Sequence, residues 1–187
     1  MKELSLNILD IAQNSIKAGA TLVQIHLTET EELLTLCIAD DGCGMTEEVL
    51  KGVVNPFYTT RTTRKVGLGL PFLKLTAEQT GGKMKVSSRH ESEHPDDHGT
   101  EVVASFFKQH IDFTPLGDIE STILTLIQGN PNLDFHFLHT MEENEVVLDT
   151  RQLREILGED IPLNSPEILD WIKQYINEQY QHSKNNN

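Results

Sequence analysis

One stretch constrains the fold of this chain more than any other. Between Ala39 and Leu75 an apolar, strand-like run ends in a carboxylate, Asp40, and passes at once into a tight glycine turn, Asp41-Gly42-Cys43-Gly44-Met45. A Thr/Arg-rich segment follows, Asn55-Pro56-Phe57-Tyr58-Thr59-Thr60-Arg61. A second glycine pair, Gly67-Leu68-Gly69, then leads directly into a helical pattern. Such a chain has a carboxylate at the end of a buried strand and free amides at the start of a helix. That combination suits a flat base at one end of a cleft and a polyphosphate at the other.

The flanking segments read as a scaffold for that cleft. Leu6 to Ala18 shows helical spacing, with Leu6, Leu9, Ile11, Ala12 and Ile16 apolar and Asn7, Asp10, Gln13, Asn14 and Lys17 polar. Gly19 ends this helix. Asp10 and Asn14 are four residues apart and share one face, with Lys17 beside Asn14. Leu22 to Thr28 and Leu33 to Ala39 alternate and form a hairpin around the acidic turn Glu29 to Glu32. Thr46 caps a short helix to about Val53. Asn55 to Gly67 has no period, and an aperiodic segment of that length in a compact domain is often a lid. Pro71 suits a first helical turn, so a helix runs from there to Thr80. Lys83 to Ser88 and Thr100 to Phe107 read as strands.

Composition shifts near Lys108, and Phe113-Thr114-Pro115-Leu116-Gly117 reads as a linker. Residues 1–110 therefore form the main domain, and residues 111–187 a small C-terminal α/β extension. In it Asp118 caps a helix to Leu126 or Ile127. Leu133 to His139 pairs with Glu145 to Leu148, Thr150 to Leu157 is a short helix, and Ser165-Pro166-Glu167 starts the last one. Ile168, Leu169, Ile172, Tyr175 and Ile176 give that last helix one apolar face; Trp171, Ile172 and Tyr175 fit either a face for a partner protein or, the favoured expectation, core packing of this helix onto the main domain.

Residue chemistry points the same way. Asp40 can accept from an exocyclic amine of a purine, and Gly42 and Gly44 let the backbone turn tightly beside a flat base. Gly67 and Gly69, before a helix N-terminus, supply amide N–H groups for phosphate oxygens. Arg61, Arg64 and Lys65 are cations clustered in an otherwise acidic chain, placed to neutralise phosphates. Asn14 offers a neutral oxygen to Mg²⁺, which takes few protein ligands when it rides on a nucleotide. Asp10, one turn earlier, is the candidate base. Taken singly, each pattern also fits a bland role: a strand-end turn, a solvated basic loop, two polar residues on a solvent face.

Bulk properties narrow the alternatives. The formal net charge of −14 would repel a polyanion, which argues against nucleic-acid binding and against basic attachment to membranes. No apolar run approaches the roughly 20 residues of a membrane span. The N-terminus lacks a signal-peptide pattern, and Cys37 and Cys43 make no disulfide framework, so a reducing cytoplasm is expected.

The motifs gain weight in combination. Leu9 to Ala20 resembles the N box of the Bergerat-fold (GHKL) ATPases, the superfamily of gyrase, histidine kinases and MutL. Asp40 to Met45 resembles its adenine box, and Asn55 to Arg61 the phenylalanine-containing lid entry of histidine kinases. Gly67 to Leu70 resembles their second glycine box, and Gly99-Thr100 their last short motif. The match runs in order over roughly residues 1 to 108, closest to the catalytic ATP-binding domain of histidine kinases. It implies ATP with Mg²⁺ in a two-layer α/β sandwich: helices on one face of a mixed, mostly antiparallel sheet. It also implies that Asp40 reads adenine, that Asn14 holds Mg²⁺, and that Lys17 and the Arg61 to Lys65 segment meet phosphates. Met45, Phe57, Thr60, Leu68, Leu70 and Thr100 join the nucleotide-binding set. The activity implied is that of a signalling kinase or slow ATPase working on or with a partner protein. The alternative is a non-catalytic, ATP-dependent binding module.

Two departures from the family pattern bear on this. Gyrase-like members carry glutamate where Asp10 stands, so water activation is expected to be slow or replaced. The N box begins at about the sixth residue, which leaves no room for the helical hairpin that carries the phosphoacceptor of histidine kinases. An acceptor is therefore expected on another protein. Relatives often dimerise, so the resemblance implies a homodimer as one arrangement, although their dimer segments are not recognisable here.

One motif is a decoy. His90-Glu91-Ser92-Glu93-His94 matches H-E-x-x-H, yet a zinc protease needs that motif on a helix, and Pro95 follows at once. An exposed connection, or adventitious metal binding with His98, fits better.

Overall fold

A computed structural model of the chain describes residues 3–53, 68–158 and 160–185. The elements in order are α1 (Leu4–Lys17), β1 (Leu22–Glu29), β2 (Leu33–Asp40), α2 (Glu47–Val53), α3 (Gly69–Gln79), β3 (Lys83–Arg89) and β4 (Gly99–Phe107). After these come α4 (Ile119–Gly129), β5 (Asp134–Met141), β6 (Asn144–Asp149), α5 (Thr150–Leu157) and α6 (Pro166–Asn185).

The strands form one six-stranded sheet in the order β3-β4-β2-β1-β5-β6. Every pairing is antiparallel except β1 with β5, which is parallel from Leu22↔Asp134 to Glu29↔Met141. The period of two sorts the side chains. Val23, Ile25 and Leu27, Leu34, Leu36 and Ile38, and Phe135 and Phe137 are buried, while their alternates such as Gln24, Thr35 and His136 are half-exposed. Helices α1 and α3 pack on the strands from one side, α4 bridges α1 and α6, and α6 packs on β6. This is the expected two-layer sandwich with a mixed, mostly antiparallel sheet.

Residues 111–187 do not stand apart from that sheet. Strands β5 and β6 extend it beyond β1. The segment before α4 also caps α1: the amides of Leu4 and Ser5, which have no intrahelical partner, donate to the carbonyls of Pro115 and Leu116 at 2.9 and 2.8 Å. Asp118 caps α4, its carboxylate accepting from the Ser121 amide at 2.9 Å. On the outer edge, the Gln179 side-chain amide satisfies both the N–H and the C=O of Val147, at 2.9 and 3.1 Å. It does there what a seventh strand would do.

Three sequence expectations change. Helix α1 starts at Leu4, so Leu4 and Ile8 carry its buried face and Leu6 is exposed. Asn7, read as polar-face, is buried, and among the described residues neither its amide oxygen nor its nitrogen has a hydrogen-bond partner. Trp171 and Tyr175, expected in the core, stack on each other at the surface, 5.0 Å between ring centroids. Ile172 and Ile176 are the fully buried anchors of α6 instead.

Candidate nucleotide-binding site

The register of the sheet builds the site. Asp40 is the last residue of β2, and its cross-strand partner on β4 is Thr100, which in turn faces Ser88 on β3. Directly opposed residues of an antiparallel sheet share a face. The apolar columns Leu36–Ile38, Ala104–Val102 and Met84–Val86 therefore end together in a polar row, Asp40, Thr100 and Ser88, on the helix-covered side. Helix α1 closes one wall and α2 another. Between them lies a cleft of about 460 Å³, lined by Ile11, Asn14, Ser15, Lys17, Ala18, Ile38, Asp40, Cys43, Gly44, Met45, Val49, Val53, Leu70, Thr100 and Val102.

The Asp40 carboxylate is fixed from two sides. Its Oδ2 accepts from the Ser15 hydroxyl at 2.6 Å, and its Oδ1 accepts from the Gly42 amide at 3.0 Å. Each oxygen keeps a lone pair, so an acceptor-only group is presented to an otherwise apolar slot. The glycine turn is held just as firmly. Asp41 points out of the cleft and accepts from the Thr21 and Leu22 amides at 2.7 and 2.9 Å and from the Thr21 hydroxyl. Partial burial would raise the Asp41 pKa, but those donors outweigh it and hold the carboxyl below its usual range. The Cys43 amide donates to Ala18 O at 2.9 Å, and His98 Nδ1 donates to Gly42 O at 2.7 Å. Gly44 has φ +68, and a Cβ there would run into the Arg89 carbonyl, so no other residue fits without displacing the turn.

Ser88 is the hub of the far wall. Its hydroxyl accepts from the Met45 amide at 2.8 Å, donates to Gly99 O at 2.9 Å, and bonds the Thr100 hydroxyl at 2.8 Å. With its one proton given to Gly99, Ser88 can only accept from Thr100, so the Thr100 hydroxyl is the donor of that bond and keeps its lone pairs for the cleft.

Of the residues anticipated from sequence, Asn14, Lys17, Asp40, Gly44, Met45, Leu70 and Thr100 line this cleft. Gly42 sits behind the lining, against Ala18, where a Cβ would meet the Ala18 methyl at 2.9 Å. Gly69 is buried beside Asp10, and a Cβ on it would lie 3.2 Å from the Asp10 Cβ. Asp10 is thus exposed at the N-terminus of α3 and does not line the cleft. Leu68 is exposed and does not line it either. Phe57, Thr60, Arg61, Arg64, Lys65 and Gly67 lie outside the described residues.

Ser15, Ser88 and His98 were not legible as site residues. Ser15 was within reach, since it follows Asn14 on a helix whose buried face points at β2. Ser88 and His98 had no local signal. The H-E-x-x-H segment is a turn, with the amides of Glu93 and His94 donating to His90 O, and among the described residues no three His, Cys, Asp or Glu side chains converge as metal ligands.

Comparison with known proteins agrees with this geometry. Residues 2–110 match the model of the family described as histidine kinase-, DNA gyrase B- and HSP90-like ATPases. The chain belongs to that family. Among curated relatives, it is 33% identical over 109 residues to sporulation kinase A of Bacillus subtilis, covering 58% of this chain and 17% of that protein. It is 30% identical over 88 residues to sporulation kinase C of the same organism, covering 47% of this chain and 20% of the kinase. The chain thus spans a fifth or less of these relatives. Among solved structures, the Aquifex aeolicus MutL ATPase domain complexed with ADP superposes with a TM-score of 0.52 at 16% identity. It covers 84% of this chain and 69% of that one. The N-terminal domain of a DNA repair protein gives 0.58 at 16% identity, covering 80% and 53%. The two solved structures show the fold alone, and since they cover 80% and 84% of this chain the likeness extends past residue 110. Among the described residues no helix is long and apolar enough to cross a membrane.

Proposed function

We propose that this chain binds ATP with Mg²⁺ and works as a histidine-kinase-like signalling kinase or slow ATPase, acting on or with a partner protein. The observation that carries the reading is the Asp40 carboxylate. It is pinned by Ser15 and Gly42 inside a mostly apolar slot whose other wall carries Asn14 and Lys17.

The residues fit a purine nucleotide. Ile11, Ile38, Met45, Val53, Leu70 and Val102 offer apolar faces for a flat base. Asp40 takes a proton-bearing amine and rejects a carbonyl in the same place, since a carboxylate has nothing to donate. The Asn14 amide oxygen sits one helical turn from Asp10, and the Lys17 ammonium lies on the same side of α1. Gly69 opens α3 with no side-chain cap on its first turn among the described residues, and the amides of Gly69 and Leu70 and the positive dipole end suit phosphate oxygens. Mg²⁺, when bound, would neutralise phosphate charge, and Asn14 is the side chain suited to hold it.

Calorimetric titration with ATP-Mg²⁺ is expected to give saturable binding that Asn14→Ala weakens, and incubation with labelled ATP to give slow turnover or transfer. Full activity in Asn14→Ala would overturn the assignment of that residue. Absence of ATP binding by the parent chain would overturn the reading as a whole.

The second reading is a binding module that uses ATP as a conformational ligand. The placement of Asp10 favours it. Its shorter side chain is exposed beside Gly69 and outside the cleft lining, a poor position from which to activate a water. Nucleotide binding without turnover in the parent, with turnover gained in Asp10→Glu, is the pattern this reading expects.

A further inference from the structure

We propose that the outer face of α6 is a docking site for a basic segment of a partner protein, built from the Trp171–Tyr175 stack and the two glutamates that flank it. The rings lie nearly parallel, 5.0 Å between centroids and 10° between planes, and both are exposed, Trp171 at 47% and Tyr175 at 38%. They are not needed to hold the helix. Ile172 and Ile176 are fully buried, Gln179 is bonded to the β6 backbone, and the Tyr180 hydroxyl bonds His139 at 2.9 Å. An aromatic pair left at the surface after the packing is complete marks a contact surface, because aromatic side chains are enriched where proteins meet.

The charges around the pair define the occupant. Glu167 lies four residues before Trp171 and Glu178 three after Tyr175, so both fall on the same exposed stripe of the helix. Among the described residues, neither makes an ion pair. Lys173 is on another face, where its charge is felt by Asp118 at the start of α4. Two π faces between two carboxylates, on a chain of net charge −14, complement guanidinium or ammonium groups. A cation over an aromatic face and a carboxylate one turn away reinforce each other. A nucleic acid or an anionic lipid surface is excluded by the same signs.

The chain contains one tryptophan, so Trp171 is its own reporter. The full chain is titrated, without nucleotide, with an eight-residue peptide alternating arginine and glycine, and with its glutamate counterpart, while Trp171 emission is followed. Saturable change with the arginine peptide alone is expected. Glu167→Gln/Glu178→Gln should weaken it about fivefold, from the roughly 0.2–1 kcal/mol of each exposed ion pair. Tyr175→Ala should weaken it about threefold, from the cation–π range at exposed sites. Both variants are at exposed positions, and unchanged thermal unfolding checks that they fold. No saturable response overturns the proposal. So does equal affinity in the variants, which would mean diffuse attraction to an acidic protein. Because no nucleotide is present, either failure leaves the reading of the ATP cleft untouched.

Discussion

Replacing Asp40 by asparagine separates the role of this residue in the site from its role in the fold. In the parent, Oδ1 serves the Gly42 amide and Oδ2 the Ser15 hydroxyl. In Asp40→Asn the amide oxygen keeps the Gly42 bond, and the new NH₂ group turns to Ser15, whose hydroxyl accepts as readily as it donates. The local network stays satisfied, and stability should change by less than about 1 kcal/mol. The face presented to the cleft changes completely, because a lone pair becomes an N–H. A bound adenine would then set its amino group against another donor. The loss is one hydrogen bond to a charged acceptor, roughly 1.5–3 kcal/mol, which is about 10- to 150-fold in Kd. Calorimetry with ATP-Mg²⁺, beside thermal unfolding of the same samples, measures both quantities. Inosine triphosphate, with a carbonyl where ATP has the amine, should lose no affinity in the variant and should gain some. If ATP binds Asp40→Asn within threefold of the parent while the fold is intact, the carboxylate does not read the base, and the reasoning from β2 register to purine recognition fails.

Two further outcomes follow from buried polar groups. Asn7→Leu replaces a buried amide with no partner among the described residues by an apolar side chain of similar size, and should raise stability by roughly 1–2 kcal/mol in denaturant unfolding; a loss would show that the amide is satisfied in the folded protein. His139 is buried, and burial pushes its pKa below 6.5, only partly offset by Glu29, whose carboxylate lies 3.2 Å from Nε2; His26 is shifted the same way by burial and by His136. The unfolded chain therefore binds more protons near and below pH 6.5, so stability is complete above that pH and is lost as pH falls through it. The thermal midpoint should drop between pH 7.5 and 5.5, and His139→Gln should flatten that slope; an unchanged slope would show that His139 is not held neutral.

What the sequence made legible was local. The periods of α1, β1 and β2, the Thr46, Asp118 and Ser165 helix starts, and the strand-end position of Asp40 all depend on neighbours within a few residues. The structure places these elements within a residue or two of their expected bounds. The family motifs added the order of the site, and with it Thr100. What stayed hidden depends on partners far along the chain. Leu4 is helical because Pro115 and Leu116 supply carbonyls to its first turn, so helical spacing alone started the helix too late and misplaced Leu6. Ser88 belongs to the site only because β3 pairs with β4 in a register that sets it opposite Thr100. Trp171 and Tyr175 have core-like spacing, but Ile172 and Ile176 win the buried face, and no feature of the pattern ranks one pair over the other.

The same dependence on distant partners decides whether residues 1–110 are a folding unit as well as the stretch the family shares. In the intact chain β1 is an interior strand, bonded to β2 on one side and to β5 along its whole length on the other. Cutting after residue 110 would leave β1 as an eight-residue edge, a long, regular template for pairing with another chain. It would also remove Ile119, Ile123, Leu126, Phe135 and Phe137 from the core, and strip the carbonyls that cap α1, the helix carrying Asn14 and Ser15. Each of those buried side chains is worth about 1.5–3 kcal/mol, and together with the capping bonds they are comparable to the whole 5–15 kcal/mol margin of an ordinary domain. A fragment of residues 1–110 should therefore aggregate, or sediment as an oligomer with no cooperative thermal transition. The fragment joined to separately expressed residues 111–187 should recover a folded species. A monomeric 1–110 fragment that unfolds cooperatively would show that the C-terminal strands decorate this sheet without holding it together, and that α1 finds its position from β1 and β2 alone.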